Sequence, residues 1–139
     1  MSSPGTLWPR VDAVTAAALR SGPLQTIPTT PAVLVDRGLP FAVRVVGQLA
    51  RKAAVRTSLP PGVPPPNPFL PYDPALFVAE VTPRHVCLLN KYNVVERHLL
   101  IVTRHFEGQQ TALNASDFAA LARCMAEGEG VGFYNSGPA

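Results

Sequence analysis

The sequence contains few of the residues that several common protein classes require. It has two cysteines, Cys87 and Cys124, and they do not form a Cys-x-x-Cys pair. A disulfide-rich secreted framework is therefore excluded, and both residues are expected to be buried free thiols of a cytoplasmic protein. The amino terminus lacks a basic start followed by an apolar run, so we expect neither a signal peptide nor a membrane span.

Charge is also scarce, because only 15% of the residues are charged. The net charge is +3, but the cations are dispersed and only Arg51 and Lys52 are adjacent. Without a basic stripe, no nucleic-acid partner is indicated. Lys52 and Lys91 are the two lysines of the sequence. Each stands out because a lysine is a flexible point charge that can reach a phosphate oxygen.

Several motifs that carry chemistry are missing. The three histidines, His85, His98 and His105, are not spaced as metal ligands, and neither cysteine is placed to complete such a set, so no metal site is indicated. The sequence has no Gly-x-Ser-x-Gly motif and no P-loop. His98 alternates with Leu100 and Val102, which predicts a core histidine whose hydrogen bonds are satisfied.

What is present favours one globular domain over residues 1–139. The chain has 139 residues, of which 47% are hydrophobic, enough to form a core. Helical spacing predicts a first helix over 8–19, ended by Gly22-Pro23, and a second over 115–126, opened by Asn114 and Asp117 as a capping box. Strands are predicted over 24–27, 33–36, 41–46, 76–81, 86–89 and 99–102. The expected core-facing residues are Phe41, Val43 and Val45 in a strand, and Phe118, Leu121, Ala122 and Met125 in the second helix.

Residues 57–74 form a proline-rich loop. Eight of these eighteen residues are proline, so regular structure is not expected. Its first half, 58–66, has low complexity, and a polyproline ligand for a partner's groove is an alternative interpretation of residues 60–66. Its second half contains Phe69, Leu70 and Tyr72, which we expect to pack against the body of the domain.

A polar elbow, Asn90-Lys91-Tyr92-Asn93, separates the apolar strands predicted over 86–89 and 99–102. Its two amides, ammonium and phenol are groups that position anions, unlike the residues of a tight hairpin turn. On spacing alone, a solvated loop is the first interpretation and an anion-positioning elbow is the alternative. The Arg51-Lys52 pair has the same two readings, because a basic pair after a strand either meets a polyphosphate or faces water.

Three segments together resemble the ATP adenylyltransferases, the diadenosine tetraphosphate phosphorylases of the histidine-triad superfamily. They are NPFLPYDP at 67–74, LLNKYNVVERHLLIVTRHFE at 88–107 and FYNSGPA at 133–139. The resemblance implies an α+β, histidine-triad-like fold with a mostly antiparallel sheet and flanking helices. It also implies a nucleotidyltransferase that converts diadenosine tetraphosphate and inorganic phosphate to ATP and ADP through a histidine-AMP intermediate. No cofactor is indicated, and Mg²⁺ as a counter-ion of the nucleotide is left open.

The resemblance also implies roles for individual residues. Asn90 and Lys91 match a substrate-contacting Asn-Lys pair, Asn135 matches the asparagine of Tyr-Asn-Ser-Gly-Pro, and Lys52 matches a lysine that ends an earlier strand. In the family the nucleophilic histidine follows the Ser-Gly-Pro run, whereas this sequence ends at Ala139. No catalytic residue is therefore assigned, since the histidines of this chain match other positions.

The expectation is an incomplete N-terminal domain, truncated before the catalytic strand. Its partners would be adenine nucleotides, inorganic phosphate and a C-terminal half chain. A non-catalytic nucleotide-binding fragment and an inert remnant are the alternatives. An uncovered apolar sheet edge would make the chain marginally stable or prone to association.

Overall fold

The computed structural model describes residues 5–46 and 69–136. Over these residues the chain forms an α+β fold, as predicted. The element order is α1 (Leu7–Ser21), β1 (Thr29–Asp36), β2 (Leu39–Val46), a 3₁₀ turn (Pro74–Leu76), β3 (Phe77–Thr82), β4 (His85–Leu89), β5 (Leu99–Thr103) and α2 (Ala115–Met125). No helix within the described residues is long and apolar enough to cross a membrane.

The centre of the fold is an antiparallel sheet in the order β3-β4-β5, which confirms the strands predicted over 76–81, 86–89 and 99–102. Every residue of β4 is buried, because both of its faces are covered. Cys87 and Leu89 belong to the core cluster that includes residues of both helices. Val86 and Leu88 belong to a second cluster on the other face. A charge-free run of this length is what a central strand needs.

The second cluster includes the end of the proline-rich loop. The ring of Tyr72 stacks on that of Phe77, with centroids 5.5 Å apart and planes inclined by 14°. The expectation that the second half of this loop packs on the body is therefore confirmed for Tyr72, whereas Phe69 is 37% exposed. The 3₁₀ turn then begins at Pro74. Residues 57–68, with the candidate polyproline ligand, lie outside the described residues.

Helix α1 ends where the sequence predicts. Gly22 has φ 93°, a left-handed conformation that favours glycine, and its N–H donates to the carbonyl of Ala18 at 3.0 Å. At the other end, the backbone N–H of Leu7 donates to the carboxylate of Glu127 at 2.8 Å. Glu127 thus satisfies one of the amides that a helix start leaves free, and joins α1 to the segment after α2.

Helix α2 begins with the predicted capping box. The side chain of Asn114 accepts from the N–H of Ser116 at 2.8 Å, and the carboxylate of Asp117 accepts from the N–H of Asn114 at 2.8 Å. The predicted buried stripe is wrong, however. Phe118 is 57% exposed, whereas Ala120 is fully buried. The helix face that packs on the sheet is therefore rotated away from Phe118, Ala122 and Met125, and of the predicted residues Leu121 is partly buried.

Strands β1 and β2 form a separate two-stranded ribbon. Arg37 (φ 48°) and Gly38 (φ 82°) connect them in left-handed conformations, which two-residue hairpins require. The strand predicted over 41–46 is confirmed, but its orientation toward a core is wrong. Phe41 is 49% exposed and Val45 52% exposed. Period-two alternation identifies a strand, but it does not supply the layer that would bury one face.

The two cysteines meet between the sheet and α2. Cys87 is buried, Cys124 is partly buried, and both are free thiols. A hydrogen bond to Cys124, together with burial, raises the pKa of Cys87, whereas the same bond lowers the pKa of Cys124.

Candidate functional site

The polar elbow lies at the end of the buried strand β4. Asn90 directly follows Leu89, and its N–H donates to the carbonyl of His98 at 2.9 Å. This bond closes the base of the loop that leads into β5. The elbow therefore projects from the most buried element of the fold, which makes its base a fixed platform.

A second segment, residues 25–29, runs beside the elbow. The N–H of Gln25 donates to the carbonyl of Lys91 at 2.8 Å, and that of Ile27 donates to the carbonyl of Asn93 at 2.9 Å. The strand predicted over 24–27 is wrong, because this segment pairs with a loop rather than with a strand of the sheet. The hydroxyl of Thr29 donates to the carbonyl of Val94 at 3.1 Å. The backbone of the elbow is thus held by hydrogen bonds from this segment.

Asn93 has a structural role in this arrangement. Its Oδ1 accepts from the hydroxyl of Thr26 at 2.8 Å, and its Nδ2 donates to the carbonyl of Val95 at 3.0 Å. The residue is buried, with 8% of its surface exposed. Its amide is therefore engaged within the chain, and Asn93 does not belong with the groups of the elbow that face outward.

Lys91 and Tyr92 are the outward-facing part of the elbow. Both are exposed, and the ammonium of Lys91 lies 5.5 Å from the centroid of the Tyr92 ring. Among the described residues, the salt bridges involve other cations, and no carboxylate pairs with Lys91. The ammonium of Lys91 is therefore available to an anionic ligand.

The loop is also attached to α1 at its far end. Arg97 donates from Nε and Nη2 to the two carboxylate oxygens of Asp12, at 3.0 and 2.9 Å, and its guanidinium lies 5.4 Å from the Trp8 ring centroid. Arg97 and Asp12 are both more than half exposed, so their attraction is screened and contributes little to stability. The contact between Arg97 and Asp12 mainly orients the loop relative to α1 and adds little to the stability of the fold.

The other two predicted site residues are placed differently. Asn135 is exposed, in the stretch after α2 that has neither helix nor strand, and no hydrogen bond joins it to the elbow within the described ranges. That stretch nevertheless passes beside the base of the loop, because the ring of Phe133 lies 6.4 Å from that of His98. The hydroxyl of Tyr134 donates to the carbonyl of Gln109 at 3.0 Å and anchors the same stretch. Lys52 lies outside the described residues.

The three histidines have different surroundings. His85 is 2% exposed, and both ring nitrogens are engaged, with Thr82 Oγ1 at 2.8 Å and Asp117 Oδ1 at 2.9 Å. His105 is exposed. His98 is partly buried, its Nε2 lies 3.4 Å from Asn90 Nδ2, and its Nδ1 has no partner in the described part of the chain. The prediction that His98 is fully hydrogen-bonded is therefore wrong.

Sequence reasoning missed two participants in the elbow. Thr26 stabilises Asn93 across 67 positions of sequence, and nothing local to Thr26 signals this. His98 contacts Asn90 across the loop base. The sequence did contain a signal for His98. It is a polar residue directly before the charge-free strand β5, at the point where the loop that leaves β4 has to close.

Comparison with known proteins agrees with this architecture. The family model of the Ap4A phosphorylase N-terminal domain matches residues 1–139. The comparison with curated proteins gave no match. Among solved structures, yeast Ap4A phosphorylase Apa2 in complex with Ap4A is similar with a TM-score of 0.71 and 26% identity, over 92% of this chain and 41% of that chain.

Two further yeast structures show the same fold. Apa2 in complex with AMP gives a TM-score of 0.68 at 24% identity, over 90% of this chain and 40% of that chain. A third structure of Apa2 gives a TM-score of 0.71 at 24% identity, over 91% of this chain and 38% of that chain. The chain thus spans about two fifths of the length of these yeast proteins. Fold, family model and structural likeness agree, and the chain belongs to the Ap4A phosphorylase N-terminal domain family.

Proposed function

We propose that this chain is the nucleotide-holding N-terminal part of a nucleotidyltransferase that converts diadenosine tetraphosphate and inorganic phosphate to ATP and ADP. One observation carries the proposal: Asn90 and Lys91 project from a backbone that β4, His98 and the 25–29 segment hold in place. The family model supports the reaction class. The yeast complexes with Ap4A and with AMP support an adenine nucleotide as the ligand.

In this proposal each site residue contacts the nucleotide according to its chemistry. The Lys91 ammonium offsets negative charge on a phosphate oxygen, and the Asn90 amide donates to a phosphate or ribose oxygen. Asn135 and Lys52 complete the set, from the stretch that passes His98 and from the segment after β2. Charge-assisted hydrogen bonds of this kind contribute about 1.5–3 kcal/mol each.

The reaction proceeds through two displacements. A histidine nitrogen attacks the α-phosphorus of the dinucleotide, so that an N–P bond forms, the P–O bond to the leaving group breaks and ATP departs. A phosphate oxygen then attacks the same phosphorus, the N–P bond breaks and ADP departs. Two easier steps thus replace one difficult step, and the cations and amides stabilise the charge that develops.

The nucleophilic histidine belongs, in this proposal, to residues outside the 139 of this sequence. His85 is buried with both nitrogens engaged, and His98 faces Asn90. The chain would then be a single incomplete domain, completed by a C-terminal part in the same chain or in a separate one. We place this protein in the cytoplasm, which its free thiols, Cys87 and Cys124, support. Mg²⁺ would enter as the counter-ion of the nucleotide.

A second candidate function is binding of adenine nucleotides without turnover. It is favoured by the exposed Lys91, which has no salt bridge within the described residues and could contact a phosphate without a nucleophilic histidine. The DNA after codon 139 separates the two functions. A segment that encodes a His-x-His nucleophile supports the enzyme, whereas a stop without such a segment supports the binding fragment or an inert remnant.

Activity of the completed enzyme tests the proposal directly. In a chain extended by that segment, Lys91→Ala should lower kcat/KM for Ap4A phosphorolysis at least about tenfold, roughly 1.4 kcal/mol of transition-state stabilisation. The matched control is Arg84→Ala, an exposed cation in the turn before β4, at the far end of that strand from the elbow. Equal kcat/KM values for Lys91→Ala and Arg84→Ala would remove Lys91 from the site.

A further inference from the structure

The orientation of the Asn90 amide is fixed by a backbone donor. The N–H of Tyr92 lies 3.1 Å from Oδ1 of Asn90, and a backbone N–H can only donate. The oxygen of the amide must therefore face Tyr92. Its nitrogen, Nδ2, then faces the imidazole of His98, where Nε2 lies at 3.4 Å. This assignment follows from the hydrogen-bond network, as it does for amides in general.

The amide orientation determines the protonation of His98. Because Nδ2 carries only hydrogens on this side, Nε2 must accept, and the single ring proton must reside on Nδ1. The interactions described for this imidazole, with the Asn90 amide and the Phe133 ring, involve side chains that do not titrate. Burial lowers the pKa of His98 below its usual 6.5, which keeps the ring neutral at pH 7.5.

We propose that His98, as the neutral Nδ1–H tautomer, is a positioning residue that accepts from the Asn90 amide and leaves the second Nδ2 hydrogen directed at the nucleotide. The inference rests on the proposed function for its ligand, an adenine nucleotide. The contact between the His98 and Asn90 side chains does not depend on that function. The Asn90 amide has three bonding positions in use or assigned: Oδ1 to Tyr92, one hydrogen to His98, and one hydrogen for a phosphate or ribose oxygen.

Protonation of His98 would break this arrangement. The imidazolium presents N–H at both nitrogens, so Nε2–H would face Nδ2–H, two donors with no acceptor between them. The Asn90 amide must then rotate, and its outward hydrogen is lost to the ligand. The affinity for ATP should therefore fall as the pH drops through the pKa of His98.

Substitutions separate positioning from general packing. In His98→Gln the side-chain oxygen reaches roughly the place of Nε2, accepts from Asn90 and does not titrate. In His98→Leu the volume is approximately kept and the acceptor is lost. We expect His98→Gln to bind ATP within about threefold of wild type at pH 7.5, and His98→Leu to bind about tenfold more weakly, the loss of roughly one hydrogen bond.

The experiment uses the 139-residue chain, ATP and two measurements. The first is ¹⁵N NMR of His98 and of the Asn90 side-chain amide without ligand. We expect an unprotonated Nε2 at pH 7.5 and Asn90 amide shifts that follow the His98 titration below pH 6.5. The second is ATP calorimetry at pH 7.5 and at a pH below the His98 titration midpoint that the NMR measurement gives. Between these two pH values the wild type should lose ATP affinity by a larger factor than His98→Gln does. The titration of ATP itself affects both proteins equally, so the difference reports on His98.

Several outcomes would overturn the proposal. They are a protonated Nε2 at pH 7.5, equal ATP affinity in wild type and His98→Leu, or the same pH dependence in wild type and His98→Gln. If the wild type binds no ATP while NMR reports the Nδ1–H tautomer coupled to Asn90, nucleotide binding by the chain fails and the His98–Asn90 contact stands. If His98→Leu does not fold, the NMR data and His98→Gln still decide.

Discussion

The Nε2 atom of His85 lies 2.9 Å from Oδ1 of Asp117, and this contact joins the first residue of β4 to the first turn of α2. The hydroxyl of Thr82 accepts from the N–H groups of Arg84 and His85, both at 3.1 Å, so its own hydrogen is free to donate to Nδ1 of His85 at 2.8 Å. His85 then donates from Nε2 to the carboxylate. The imidazole of His85 therefore connects the sheet to the N-terminal cap of α2, and both of its ring nitrogens are hydrogen-bonded.

Asp117→Asn should destabilise the fold by about 1–2 kcal/mol, because the amide cannot accept from both Asn114 and His85 as the carboxylate does. The N–H of either Asn114 or His85 would then face the NH₂ group of the new amide, so that two donors would meet. Urea unfolding at pH 7 measures the change. Glu129→Gln, at an exposed position outside α2, is the control and should stay within about 0.5 kcal/mol of wild type.

The same carboxylate predicts a pH dependence. Burial opposes ionisation of Asp117, but the hydrogen bonds from Asn114 and His85 prevail and lower its pKa below the usual 3.8. A carboxyl whose folded pKa is lowered contributes stability above its unfolded pKa and loses it as pH falls through the folded value. The stability difference between wild type and Asp117→Asn should therefore shrink below about pH 4. A difference that stays constant from pH 7 to pH 3 would contradict this.

Thr26→Val should loosen the elbow. The substitution keeps the volume but removes the donor to Oδ1 of the buried Asn93, which costs about 1–3 kcal/mol when an acceptor is left without a partner. Amide hydrogen exchange at Ile27, which donates to the Asn93 carbonyl, should become faster. Thr30→Val, an exposed position of β1, is the matched control. Equal unfolding free energies for the two variants would show that Asn93 does not need Thr26.

The β1–β2 ribbon should make the isolated chain associate. Val33 is 68% exposed and Val35 is 70% exposed on the same side of β1, and further large apolar side chains of the ribbon are exposed as well. Apolar edge strands of this kind pair with other chains. Sedimentation velocity should show concentration-dependent association that the double substitution Val33→Lys, Val35→Lys reduces and Thr30→Lys does not. A monodisperse monomer with a sharp two-state melt would count against it.

Local sequence patterns predicted the elements whose causes are themselves local. The stop of α1 depends on Gly22, the start of α2 on Asn114, and the central strand on the charge-free run from Val86 to Leu89, and each is confirmed. The errors concern what packs against each element. Helix α2 turns Ala120 inward and Phe118 outward. Its first turn is tied to His85, a contact that helical periodicity cannot reveal.

The candidate site also has a part that the sequence predicts and a part that it does not. The elbow could be located from sequence because polar residues interrupt two dry strands, and the family resemblance pointed to Asn90 and Lys91. The engagement of Asn93 by Thr26 and the contact between His98 and Asn90 depend on how distant segments approach one another. A single sequence holds no record of such approaches, so the expectation for His98 was wrong and Asn93 was grouped with the outward-facing residues.

The most direct test of the account is calorimetric titration of the 139-residue chain with ATP, because its central claim is that the elbow holds nucleotide phosphates. We predict saturable binding at one site in the wild type, unchanged affinity in Arg84→Ala, and affinity reduced at least about tenfold in Lys91→Ala, or roughly 1.4 kcal/mol. Absence of heat in the wild type, or equal affinities for wild type and Lys91→Ala, would contradict it.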